Sequence, residues 1–250
     1  MLSDKSIQRD YTESYVCRMV LIARSRLSKK ARNKLNVTIK EKLSKVDFTI
    51  FSNNCLGGVF YHDADKQFTS PLINTALDGD DFIRFLERPE YYLKHEMEFI
   101  TWKGHNYPIA RIDDIEVRFV HYKSNEEAES KWRERSDRII WDNIYVIATN
   151  HDGLGREILL ERFNQLPYLN KILFVSREYP QYDWAICVPQ FKNRFQVKIM
   201  TNIANFQGQR YYELVFDIPQ WILENSPNRG DKHTLYDQTI KCFRGGMGWQ

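Results

Sequence analysis

The chain has 250 residues, 42% hydrophobic and 28% charged, with a net charge of +3. That balance fits one sizeable globular domain and excludes a disordered chain. The charge is uneven, with twelve lysines and arginines against four carboxylates in residues 1–45 and 24 against 29 in the remainder. A nucleic-acid binder is usually basic across its main body, so no nucleic-acid partner is expected.

Residues 18–45 read as a helix. Val20, Ala23, Leu27, Ala31, Leu35, Ile39 and Leu43 recur mostly four apart, with Lys29, Lys30, Arg32, Lys34, Lys40 and Lys42 largely between them. Two readings stay open: an amphipathic helix resting on an anionic membrane surface, or a helix packed on the domain with a solvated basic face. No run approaches the roughly 20 apolar residues that span a bilayer, and the start is too polar for a signal peptide. The expected location is the cytoplasm, with peripheral contact at the inner face of the membrane through residues 18–45 as an option.

VDFTIFS, residues 46–52, has the β-branched and aromatic content of a buried parallel strand. Asp78-Gly79-Asp80-Asp81 reads as a helix entrance, and 81–97 as mostly helical with a break at Pro89. Residues 109–122 read as a second strand region, with Ile115, Val117 and Phe119 on one face and a turn at Asp113-Asp114. Ser124-Asn125-Glu126-Glu127 matches a capping box and opens a helix to about 138. Strands at 143–149, 171–176 and 185–188 follow, with a helix at 154–165 before the second of them. FDIPQWILENSPN reads as a closing strand and helix, and RGGMGWQ as a poorly ordered end. The alternation predicts an α/β fold: a three-layer α/β/α arrangement around a mainly parallel, Rossmann-like open sheet. Residues 1–45 form a basic helical segment and 46–250 a single α/β domain.

In open parallel sheets, ligands bind beyond the carboxyl ends of the strands. That rule selects Ser52, Asn53, Asn54 and Cys55, then His121 and Tyr122, then Thr149, Asn150, His151 and Asp152. Cys55 is a candidate nucleophile, since a helix starting near it would favour thiolate, and His121 is a candidate base. The alternative is a buried, inert cysteine. Asn53 and Asn54 can donate to a substrate oxygen or close an Asx turn. Gly57 and Gly58 can let backbone approach a phosphate. Neither a P-loop nor a G-x-G-x-x-G fingerprint is present.

Trp132, Arg135 and Arg138 are three apart and share a helix face. They can clamp phosphate or carboxylate beside a stacking ring, or belong to a solvated face paired with Glu127, Glu129 and Glu134. Asp63-Ala64-Asp65 has the spacing of a short metal motif, but a pattern this common is weak. The four cysteines, at 17, 55, 187 and 242, form no CxxC pair, so neither a zinc site nor a disulfide scaffold is expected. No metal is predicted.

FSNNCLGGVFYHD, FTSPLIN, FVHYKSNEEAESKWRERSDRI and DNIYVIATN together resemble an uncharacterised bacterial domain-of-unknown-function family found largely in capsule and exopolysaccharide gene clusters. The resemblance covers residues 44 to 190. It implies a three-layer α/β fold and a role in surface-glycan assembly, with no reaction attached. The matching positions add Ser70 and Asn74 to the candidate substrate-binding residues, alongside Asn53, Asn54, Gly57, Gly58, Tyr122, Trp132, Arg135 and Arg138. This family commonly has an aromatic residue after the cysteine, where this chain has Leu56.

Taken together, the expectation is a transferase acting on a capsular or exopolysaccharide precursor. Acyl (acetyl) transfer to a sugar through Cys55 and His121 is the leading form, with an acyl-CoA donor. The alternatives are a glycosyl- or phosphoglycosyl-type transfer from a nucleotide-sugar donor, and a non-catalytic glycan-binding assembly factor.

Overall fold

The computed structural model describes residues 26–226 except 102, 103, 105, 193, 198 and 199. Cys17, Cys242, the segment 18–25 of the predicted first helix and the predicted loose end at 244–250 lie outside the described residues. Residues 26–43 are helical, α1. Then come β1 (Thr49–Phe51), α2 (Leu56–Asp63), α3 (Gly79–Glu87), α4 (Pro89–Lys94), β2 (Glu98–Ile100), β3 (Ile109–Ile112) and β4 (Ile115–Arg118). The chain continues through α5 (Asn125–Ser136), β5 (Ile144–Thr149), α6 (Glu157–Gln165), β6 (Asn170–Val175), β7 (Ala185–Cys187) and α7 (Ile218–Asn225).

Two sheets form. One is parallel, in the order β1-β5-β6-β7; the other is antiparallel, in the order β2-β3-β4. The fold is therefore mixed α/β with a four-stranded parallel sheet, as the alternation of strands and helices implies. The expectation for residues 109–122 needs correction, because they are not one strand of that sheet. Asp113, with φ of 54°, turns the chain so that Ile112 pairs with Ile115 in a hairpin. Aspartate tolerates this left-handed conformation better than most residues. β2, which lies just beyond the stretch 81–97 read as mostly helical, completes the second sheet through Glu98 opposite Arg111.

β5 shows why a continuous apolar run marks a buried parallel strand. Ile144, Val146 and Ala148 belong to one apolar cluster, while Tyr145 and Ile147 belong to another. The first cluster gathers Phe82 and Phe85 of α3, Trp132 of α5, Phe163 of α6 and Val117 of the hairpin. The second gathers Leu43 of α1, Phe60 of α2 and Ile222 of α7. Along α1, Ile39 and Leu43 are buried, whereas Leu27 and Val37 are exposed.

Arg32 departs from the basic stripe around it. Its side chain is buried and pairs with Glu213 at 2.5 Å and Asp63 at 3.5 Å. Asp63 also takes a two-pronged bond from Arg210, at 2.6 and 2.9 Å. A buried carboxylate is tolerable only when so paired. These ion pairs tie α1, the end of α2 and the segment near residue 210 together. Asp65 faces elsewhere and pairs with Lys40 at 2.5 Å, so the two carboxylates of Asp63-Ala64-Asp65 serve different partners.

Candidate functional site

The carboxyl ends of β1 and β5 lie side by side, and the asparagines after β1 bind them together. Asn53 donates from Nδ2 to the Thr149 carbonyl at 3.0 Å and accepts from the Thr149 N–H at 3.2 Å. Asn54 donates to Asn53 Oδ1 at 3.1 Å and to Thr149 Oγ1 at 2.8 Å. Its own Oδ1 accepts from the Leu56 N–H at 2.9 Å, an Asx turn that opens α2. Both N–H groups of the Asn54 amide are thus used inside the protein.

Cys55 is the residue immediately before α2, free and half-buried. Its Sγ lies 3.5 Å from His121 Nε2. The imidazole reaches it from the segment after β4, which its neighbours anchor. Phe119 is fully buried, and Tyr122 donates its hydroxyl proton to the Ile73 carbonyl at 2.9 Å. Between these two fixed points His121 remains exposed.

Burial pushes the Cys55 thiol above its ordinary pKa, the reverse of what its place at a helix start suggests. At neutral pH the resting group is therefore a thiol, and nucleophilic attack requires a base. His121 is in place to take that proton.

The first N–H groups of a helix have no intrahelical acceptor. The Leu56 N–H goes to Asn54, and the helical ladder begins with Val59 N–H to the Cys55 carbonyl at 3.0 Å. The N–H groups of Gly57 and Gly58 are the remaining donors at this helix opening. A Cβ on Gly57 would come within 3.1 Å of Ser52 Cβ, and one on Gly58 within 3.2 Å of Ile73 Cγ2. The glycines thus let α2 close tightly on β1 and the 70–74 segment. Asn74, at φ 64°, stands beside Gly58, with Oδ1 3.5 Å from where that Cβ would be. Ser70 is fully buried and accepts from the Leu72 N–H at 3.3 Å. Leu56 packs in the second core cluster.

A charged group at the end of β4 and the exit of β5 was missed in part by the sequence reading. Arg118 NH2 pairs with Asp78 at 2.6 Å and Asp152 at 3.4 Å, and Asp152 contacts His151 Nδ1 at 3.0 Å. His151 and Asp152 were legible as residues at a strand exit. Arg118 was not, because alternation along β4 marks it only as solvent-facing.

The helix residues separate from the thiol. Trp132 is buried edge-on against Phe85 and Phe119. Arg135 NH1 donates to the Ile73 carbonyl at 3.0 Å and to the Tyr122 hydroxyl at 2.5 Å. Arg138 pairs with Glu134. The shared face runs through Ala128, Trp132 and Arg135, and it is the buried face of α5. Arg135 and Arg138 line a cleft with Lys66, Gln67 and Phe68, which follow the end of α2. Cys55 stands at the start of the eight-residue α2, whereas Lys66, Gln67 and Phe68 of this cleft follow its end.

Residues 26–223 match the family described as "Domain of unknown function (DUF1919)". The chain belongs to the DUF1919 family. It is also 33% identical over 198 residues to a Haemophilus influenzae (strain ATCC 51907 / DSM 11121 / KW20 / Rd) protein described as "Uncharacterized protein", covering 79% of this chain and 95% of that one. The DUF1919 match takes in both Cys55 and His121, every strand of the two sheets and the helices from α1 to α6, and it ends within α7. Among the described residues, no helix is long and apolar enough to cross a membrane.

Proposed function

We propose that this DUF1919 protein is a transferase that carries an acyl group, acetyl in the simplest case, on Cys55 and delivers it to a sugar hydroxyl. The observation that carries the proposal is the 3.5 Å contact between Cys55 Sγ and His121 Nε2 at the carboxyl edge of a parallel sheet. A capsular or exopolysaccharide precursor as acceptor rests on the sequence resemblance alone.

In the first half-reaction His121 takes the thiol proton as Sγ attacks the carbonyl carbon of an acyl-CoA-type thioester. The new C–S bond forms, the donor's sulfur leaves, and it departs with the proton from His121. In the second half-reaction His121 takes the proton of the sugar hydroxyl, whose oxygen attacks the Cys55 thioester. The ester forms, the C–S bond breaks, and the proton returns to Sγ. The N–H groups of Gly57 and Gly58 are the donors for the oxyanion of each tetrahedral intermediate, since the amides of Asn53 and Asn54 hold β1 to β5.

Glycosyl or phosphoglycosyl transfer from a nucleotide sugar, and binding of a glycan without turnover, need no thiol. The experiment is brief exposure to acetyl-CoA, acid quenching, and mass spectrometry of the peptide that holds Cys55. Acetylation at Cys55, slowed in His121→Ala, is the expected result. An unmodified Cys55, or full turnover by Cys55→Ala on any acceptor, rules the acyl-enzyme out and favours the thiol-free alternatives.

A further inference from the structure

Arg135 is an unusual cation. Its residue is 7% exposed, yet no carboxylate pairs with it among the described residues. NH1 is satisfied by the Ile73 carbonyl and the Tyr122 hydroxyl. A guanidinium has five N–H donors, and those on Nε and Nη2 have no partner among the described residues and are not sealed from solvent. The Phe68 ring lies under the group, 5.0 Å from Cζ to the ring centre. Holding a charge this deep without a counter-charge is costly, and an anion from outside would relieve that cost.

The space for one is present. Arg135 lines a cleft of about 300 Å³ with Lys66, Lys131 and Arg138, and Glu134 is its one carboxylate. That carboxylate is already shared by Lys131, at 2.6 Å, and Arg138. Lys66 also reaches Asp47, at 3.7 Å, so four cations share two carboxylates and the cleft keeps an excess of positive charge. It adjoins a second cavity of about 480 Å³, with Lys66, Gln67 and Arg138 common to both. The second cavity differs in chemistry: Ile139 and Ile140 give it apolar wall, and the carboxylates of Asp47 and Asp137 give it acceptors suited to hydroxyl groups.

We infer that these joined cavities bind a phosphorylated, hydroxyl-bearing small molecule. Its phosphate meets Arg135, Arg138, Lys131 and Lys66, and its hydroxyls meet Asp47 and Asp137. The arginine fork suits two phosphate oxygens at once, and the lysines add unoriented charge. This site stands on its own observations and does not depend on thiol chemistry at Cys55.

Calorimetric titration with inorganic phosphate and with glucose 1-phosphate tests it. Both should bind, the sugar phosphate more tightly, and sodium acetate at the same ionic strength should not compete. The double variant Lys131→Ala/Arg138→Ala, at accessible positions, should weaken phosphate roughly tenfold or more, as should Arg135→Gln if it folds. Cys55→Ala should bind phosphate as the unaltered chain does, which separates this site from the acyl-transfer proposal. No binding of either probe up to about 10 mM, binding unchanged by the double variant, or equal competition by acetate would overturn the inference. Equal affinity for the two probes would overturn the role of Asp47 and Asp137.

Discussion

The two ends of α2 satisfy their polar groups in opposite ways. At its start, Asn53, Asn54 and Thr149 bond to one another, and the thiol–imidazole pair of Cys55 and His121 stands outside that network. At its end, Asp63 is matched by Arg210 and Arg32, while Arg135, in the cleft lined by the residues that follow α2, has no ion-pair partner among the described residues. A region whose polar atoms satisfy each other is scaffold, and the groups left over are where a ligand can contribute. The thiol pair is left over at one end and the guanidinium at the other.

Substitutions can break or sharpen this contrast. The largest effect should come from Trp132→Ala, because that ring is 1% exposed between Phe85 and Phe119. Loss of about 3–5 kcal/mol in urea unfolding is expected, and a small loss would mean that the ring serves a ligand instead. Asp63→Asn removes the carboxylate that Arg210 grips in two places and that buried Arg32 shares with Glu213, and should cost about 3–5 kcal/mol as well. Because that pairing is scaffold, the variant should keep its affinity for phosphate wherever it remains folded.

Asn53→Ala should cost about 1–3 kcal/mol, since it strands buried groups on Thr149. If it instead abolished Cys55 acylation without loss of stability, Asn53 would belong to the reacting groups. Cys55→Ala should shift stability by no more than about 0.5–1 kcal/mol, because a half-buried thiol with one long contact holds little together. A loss of several kcal/mol there would make Cys55 a packing residue.

The sequence made some of this legible. The run from Ile144 to Thr149 identifies a parallel strand because both of its faces are buried, and Ser124 marks the start of α5, where its Oγ accepts from the Glu127 N–H at 3.2 Å. The turn at Asp113-Asp114 was legible, but the pairing of the hairpin in a separate antiparallel sheet was not, because periodicity along a chain carries no information on which strand pairs with which. SNNC was recognisable as a strand exit, and its asparagines turned out to be structural bridges. The three-residue spacing of Trp132 and Arg135 correctly put them on one face of α5. It could not say that the face turns inward, since an arginine normally signals solvent. Lys66 gave no signal, because it comes to this cleft from a segment far from Arg135 in sequence, and Lys131, one turn before Arg135 on α5, reads like any solvent-facing lysine.

The most direct measurement is the rate of Cys55 alkylation by iodoacetamide against pH, in the unaltered chain and in His121→Ala. Because burial raises the thiol pKa, the uncatalysed rate should climb through and beyond the ordinary thiol range as thiolate forms, with no plateau near neutrality. Base assistance by His121 adds reactivity near pH 7, so His121→Ala should react about tenfold or more slowly there and converge with the unaltered chain at high pH. Equal rates at neutral pH would contradict a working Cys55–His121 pair.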